Sequence, residues 1–269
     1  MAGSVFILLQ WKKQQQVFVK NLEMLRMQEQ HVAVHDLRVA TKKLRSYLKL
    51  LSILKRKNDH EASFEKTEQL FSVLGKHRDI EMGLSLLKAY EKQNKAVYAS
   101  LLNHLETAKQ QAWERVKTAL QQYDTKDLMA LTGHLEEELK DESDESVIEK
   151  IKKLINKEFK SVIRYAAHLG REAHRIRKFL KDIFYWAELS PNDFLPEKDL
   201  RKKIKKTMEN LGEWQDQEML LRKVRHFRKD FIPAKNEDFS LLKDLEKNIE
   251  EKMESLLQLA DKHIQSLDA

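Results

Sequence analysis

The sequence predicts an all-α protein, and three features carry that prediction. Only 6 Gly and 3 Pro occur in 269 residues, which leaves few of the turns that a β-rich or glycine-loop enzyme needs. Charged residues make up 35% and hydrophobic ones 41%, a balance that suits long helices with one wet face around a continuous core. Apolar residues also recur every three or four positions, as in Leu37, Ala40, Leu44, Tyr47, Leu48 and Leu51.

Taken in order, a first helix is expected over Val5 to Met27, with Val17, Leu22, Met24 and Leu25 among its buried residues, and a turn over Gln28 to Val34. A second runs from about Val32 to Leu54, and the polar run Lys55 to Asp59 breaks its period. This helix carries a row of cations. At roughly 100° per residue, His35, Arg38, Lys42, Arg45 and Lys49 fall within an arc of about 80°, opposite the apolar positions. Four like-charge neighbours in succession destabilise a bare helix by roughly 1–2 kcal/mol in all, so an anion is expected to compensate them. A third helix around Phe64–Leu74 meets Gly75, where a bend or a close helix approach is expected. Helical pattern then continues through Leu84, Leu87, Tyr90, Val97 and Leu101 into Trp113 and Leu120.

The stretch from about 136 to 146 is the most acidic of the chain and reads as a connector ending a helix. Beyond it, Lys153, Lys157, Lys160, Arg164, His168 and Arg171 repeat the cationic spacing along one helix, which leads into His174, Arg177 and Lys181. The pattern His-x-x-Arg-x-x-x-Lys thus starts at His35 and again at His174, 139 residues later. Leu74-Gly75-Lys76-His77-Arg78-Asp79 returns as Leu211-Gly212-Glu213-Trp214-Gln215-Asp216 after 137 residues. Two motifs recurring in one order at nearly one offset predict an internal duplication: a single domain over 1–269 with repeats at about 5–135 and 147–266. Ser190-Pro191-Asn192-Asp193 should end a helix, and Pro196 fits the first turn of the next.

The balance of 50 Lys+Arg against 43 Asp+Glu, net +7, favours an anionic partner where the positive charge gathers on one surface. Without cysteine there is no disulfide or thiolate chemistry, which is compatible with a reducing cytoplasm. The apolar run Val5 to Leu9 is far short of the roughly 20 residues of a membrane span, so no membrane anchor is expected. His31 and His35 share a helix face, but the Glu of a His-Glu-x-x-His zinc motif and a spaced third ligand are missing, so no metal is expected. Phosphate-binding glycine loops, nucleophile elbows and acidic clusters for Mg²⁺ are likewise missing, so neither a cofactor nor a catalytic apparatus is expected.

These motifs resemble the CHAD family, the conserved histidine α-helical domain, whose signature is two His-x-x-Arg helices each followed by a Leu-Gly-x-x-x-Asp turn. The resemblance spans nearly the whole chain. It implies two pseudo-symmetric four-helix halves around a basic groove that binds inorganic polyphosphate, in a non-catalytic module acting beside a separate polyphosphate or triphosphate enzyme. It also implies a cytoplasmic protein, with polyphosphate granules as one expected location. His35, Arg38, Lys42, Lys43 and Arg45 complete the first motif. In the second, His174, Arg177 and Lys181 match, whereas Asp182 and Phe184 stand where the family usually places bases, and Gln215 replaces the Arg that Arg78 supplies in the first turn. Lys198, Arg201, Lys202 and Lys205 are expected to restore charge there.

Polyphosphate carries about one negative charge per phosphate, and one helical turn advances about 5.4 Å, so helix-borne cations can meet successive or alternate phosphates. Arg38 and Arg45 would fork onto phosphate oxygens, Lys42 and Lys49 would act as mobile charges, and His35 and His174 would donate N–H bonds. The expected binding set is His35, Arg38, Lys42, Lys43, Arg45, Lys49, Arg78, Lys157, Lys160, Arg164, His174, Arg177, Lys181, Arg201, Lys202 and Lys205. Asp79 and Asp216 are expected to cap or to orient Arg78, since carboxylates repel phosphate. Two other functions compete with this one. A general nucleic-acid binder would gain from exposed stacking aromatics, which the stripes do not offer, and a phosphohydrolase would release phosphate.

Overall fold

A computed structural model describes residues 5–55, 60–189 and 198–267. Among them nine α-helices and no strand occur: α1 (Val5–Met27), α2 (His31–Lys55), α3 (Glu61–Asn94), α4 (Ala99–Gln122), α5 (Lys126–Leu139), α6 (Asp144–Ala166), α7 (Leu169–Ala187), α8 (Lys198–Phe231) and α9 (Glu237–Gln265). The fold is all-α. The expected breaks at 56–59 and at Ser190 to Asp193, and the helix start at Pro196, lie outside the described residues, as does the side chain of Lys198.

Several expected boundaries differ: the turn expected over Gln28 to Val34 ends before His31, where α2 begins, and the helical pattern expected to continue through Val97 breaks between Asn94 and Ala99. The third helix runs through Gly75 without a break, so this glycine allows a close approach rather than a bend. The stripe expected from Lys153 to Arg171 is interrupted: α6 ends at Ala166, His168 lies in the turn, and Arg171 belongs to α7. The apolar period runs through that turn in phase, at Val162, Leu169, Ala173 and Ile176, which hides the break from sequence periodicity. The acidic connector is shared between the end of α5, a short turn and the start of α6. Asp144 and Glu145 there occupy the first turn of α6, where the helix dipole favours them. Glu142 pairs with Lys55 and Lys150, whose bonds hold its carboxyl below the usual range.

The helices form two compact units built from interleaved segments. Unit 1 comprises Met1–Gly75, Arg115–Val162 and Phe179–Arg201; unit 2 comprises Lys76–Glu114, Ile163–Lys178 and Lys202–Ala269. In unit 1, α2 buries Leu37, Ala40, Leu44, Tyr47, Leu48 and Leu51. α1 contributes Trp11, Phe18, Leu22 and Leu25, while Val17 and Met24 remain half-buried. Polar bonds fix this packing. The Trp11 indole donates to Thr132 Oγ1 (2.9 Å), and Arg26 donates to the carbonyls of Leu120 and Tyr123, satisfying the C-terminal end of α4. In unit 2, Leu84, Leu87 and Tyr90 of α3, Leu101 and Leu105 of α4, Leu220 and Val224 of α8, and Leu242, Leu245 and Ile249 of α9 form one apolar cluster. None of the described helices is long and apolar enough to cross a membrane.

Candidate anion-binding site

α2 is the organising element of unit 1 because it is buried on more than its apolar face. Arg38 (9% exposed), Thr41 and Ser46 are buried as well. The Arg38 guanidinium lies 4.2 Å from the Phe71 ring centroid, and its Nη1 donates to the Phe71 carbonyl at 2.8 Å. That carbonyl is one helical turn before Gly75. A Cβ at Gly75 would come within 2.7 Å of Arg38 Nη1, so the bare backbone there is what admits the guanidinium. In unit 2 the approach of the arginine to the glycine recurs, with a different hydrogen-bond partner. Arg177 Nη1 donates to Gln215 Oε1 (3.0 Å), and its Nη2 would stand 3.2 Å from a Cβ at Gly212. In each motif pair the Arg of His-x-x-Arg covers the Gly of Leu-Gly-x-x-x-Asp.

This geometry separates the glycines by effect. Gly75→Ala is expected to lower stability by about 1 kcal/mol or more, although Ala exceeds Gly in helix propensity by about the same amount. Gly133→Ala, whose added Cβ meets nothing within 4 Å, is expected to raise stability by about 0.5–1 kcal/mol. Urea unfolding of the two variants checks the contrast, and a stabilised Gly75→Ala would refute the close approach.

Three further α2 cations, Lys43, Arg45 and Lys49, meet carboxylates of the same unit. Arg45 forms a two-pronged pair with Glu68 of α3 and lies 4.5 Å from the Phe71 centroid. Lys43 bonds Glu188, in the turn just after α7, at 2.9 Å, and Arg201 stands 3.7 Å from the other oxygen of Glu188. Lys49 bonds Asp182 at 2.5 Å and stands 3.8 Å from Glu158, while the Ser46 hydroxyl donates to Asp182 at 2.7 Å. Burial raises the Glu158 carboxyl above its ordinary range; Lys49 opposes the shift and Asp182 adds to it. Burial, then Glu188 and Tyr185, push the Tyr47 phenol up, so it stays neutral. A cleft of about 440 Å³ opens beside Arg45 and Lys49, lined also by Leu48, Ser52, His60 and Phe64. Two members of the row, Arg45 and Lys49, are thus compensated in this structure by the protein's own carboxylates.

Of the expected binding set, unit 1 holds His35, Arg38, Lys42, Lys43, Arg45, Lys49, Lys157, Lys160, Lys181 and Arg201. His35, Lys49, Lys157 and Lys160 are exposed, and Lys42, Lys43, Arg45, Lys181 and Arg201 are half-buried. Unit 2 holds Arg78, Arg164, His174, Arg177, Lys202 and Lys205, of which only Arg78 and Arg177 are half-buried and the rest exposed. Arg78 stands 3.9 Å from Asp216, beyond hydrogen-bond distance. Asp79 faces Lys223, a half-buried amine whose pKa burial lowers and Asp79 partly restores. Phe71, Glu68, Ser46 and Glu188 did not stand out in the sequence. Asp182 did, as a carboxylate in the place of a base.

The comparisons with known proteins agree with the fold. The family model described as "CHAD domain" matches residues 10–260. The crystal structure of the CHAD domain from the plant Ricinus communis superposes with a TM-score of 0.75 at 18% identity, covering 99% of this chain and 92% of that one. No curated protein matches the sequence. Because the family model spans nearly all of it, the chain belongs to the CHAD domain family.

Proposed function

We propose that this protein is a non-catalytic module that binds inorganic polyphosphate, with the cations of α2 as its principal contacts. One observation carries the reading: Lys42, Lys43, Arg45 and Lys49 are at least partly open to solvent on one rigid helix whose opposite face is locked into the core. Successive turns present charge at about 5.4 Å intervals, a spacing suited to a linear polyanion rather than to a single phosphate. Arg45 supplies the forked contact, and the lysines supply point charges. Arg38 and Arg177 act as positioning residues, since their guanidinium groups sit over Gly75 and Gly212. The recurrence of that contact supports an internal duplication, with His174, Arg177 and Lys181 as the second set. A separate polyphosphate-metabolising enzyme is the partner class that follows, and the cytoplasm the compartment.

Titration at about 0.15 M salt, where exposed charges are screened beyond about 8 Å, tests the reading. Long-chain polyphosphate is expected to bind tighter than single-stranded nucleic acid at equal phosphate concentration. Equal affinity would reduce the protein to a general polyanion binder, and phosphate release in the presence of Mg²⁺ would make it a hydrolase.

A further inference from the structure

We infer that Glu68, Asp182 and Glu188 are specificity-determining residues: they occupy the α2 cations as built-in competitors, so that only an anion with several closely spaced charges displaces them. The inference rests on the polyphosphate reading and adds what that site selects for.

All three carboxylates lie in unit 1 and reach α2 from elsewhere in it, Glu68 from α3, Asp182 from α7 and Glu188 from the turn that follows α7. Each faces a different cation, Arg45, Lys49 and Lys43 respectively. The pairs are partly sheltered, with side-chain exposures of 15% for Asp182, 26% for Glu188 and 37% for Glu68. Asp182 is additionally held by the Ser46 hydroxyl, and Glu188 by Arg201. An entering phosphate oxygen therefore does not fill a vacant site. It exchanges one charge-assisted bond for another and leaves a carboxylate beside it, so a single small anion gains little. A polymer differs because the first exchange, at Arg45 or Lys49, tethers its neighbouring phosphates near the other, one turn away on the same side of α2, where the second exchange proceeds at high effective concentration; Lys43, two residues from Arg45, points to another side and is exchanged separately. Each carboxylate thus weakens the exchange at its own cation, and a long chain, held meanwhile through other cations, loses a smaller share of its affinity than a short anion does. The position of Asp182, within the second stripe where a base is expected, fits a competitor rather than a vestige.

The test measures binding of orthophosphate, tripolyphosphate and long-chain polyphosphate to the full chain by calorimetry. It compares the unmodified protein with Glu68→Gln, Asp182→Asn and Glu188→Gln, each checked by a thermal melt. As a charge control, Glu254→Gln removes one carboxylate from an exposed position of α9 in unit 2. The expected result is that each of the three variants binds tripolyphosphate about tenfold tighter, equivalent to about 1.4 kcal/mol, with a smaller proportional gain for the long chain. Glu254→Gln should leave both affinities near those of the unmodified protein. Unchanged or weaker tripolyphosphate binding in the three variants overturns the inference, as does an equal gain in Glu254→Gln. Should Asp182→Asn fail to fold, the more exposed Glu68 and Glu188 variants decide alone. An unmodified protein that does not bind the long chain overturns the underlying reading instead, whereas one that binds it while the variants gain nothing overturns only the gating role.

Discussion

Arg38→Ala is expected to lower the free energy of unfolding by about 2–4 kcal/mol, whereas Arg45→Ala, two turns further along the same face, should change it by no more than about 1 kcal/mol. Both belong to the same row of cations on α2, and both stack on Phe71. Their surroundings separate them. Arg38 is 9% exposed and donates to a backbone carbonyl of α3 over a glycine that makes room for it. Its truncation removes a charged hydrogen bond, a stacking contact and the volume that fills the gap above Gly75. Arg45 is 43% exposed at its side chain and bonds a carboxylate that water can solvate in its place. Arg38→Lys should not restore stability, because an ammonium has neither the fork nor the planar face. Urea unfolding of the three variants checks this, with equal midpoints for Arg38→Ala and Arg45→Ala as the refuting result. Binding should order them the other way: among variants still folded, Arg45→Ala is expected to lose polyphosphate affinity directly.

That contrast shows what periodicity can and cannot convey. A helical wheel places Arg38 with Lys42, Arg45 and Lys49 because it recognises one buried face, set by Leu37, Leu44 and Leu51. α2 is buried on a second side as well, where Arg38, a polar residue, meets Phe71 of α3, which is distant in sequence. Helix boundaries set by runs of polar residues were readable: α1 matches its expected span, and α2 exceeds its own by one residue at each end. The turn at His168 was not, since apolar phase continues across it. The recurring motifs gave the family because their spacing is local. The carboxylates that hold the stripe were hidden for the opposite reason, with Asp182 and Glu188 lying 133 and 145 residues from the lysines they bind. Only Asp182 left a trace, by interrupting a pattern of bases.

Trp186→Ala is expected to cost about 3–5 kcal/mol, and Trp186→Phe about 1–2 kcal/mol, a difference that isolates what the indole N–H contributes. Trp186 is fully buried and donates to the Ser46 carbonyl at 3.0 Å. Ser46 is therefore engaged twice by α7, through its carbonyl by Trp186 and through its hydroxyl by Asp182. The Lys49 ammonium, one turn further along α2, lies 5.4 Å from the indole and bonds the same Asp182. Trp186 thus fixes the height of α7 against α2, and with it the reach of Asp182 to Lys49. In Trp186→Phe the ring volume largely remains while the Ser46 carbonyl loses its cross-helix donor, so the loss should appear as a lower unfolding midpoint with unchanged helical content. A midpoint equal to that of the unmodified protein would show that the bond is immaterial and that packing alone sets the α2–α7 contact. Because Asp182 is aligned by the same contact, Trp186→Phe should also loosen its hold on Lys49. It should then raise tripolyphosphate affinity in the direction of Asp182→Asn but by less, which ties the core residue to the charge pair it supports.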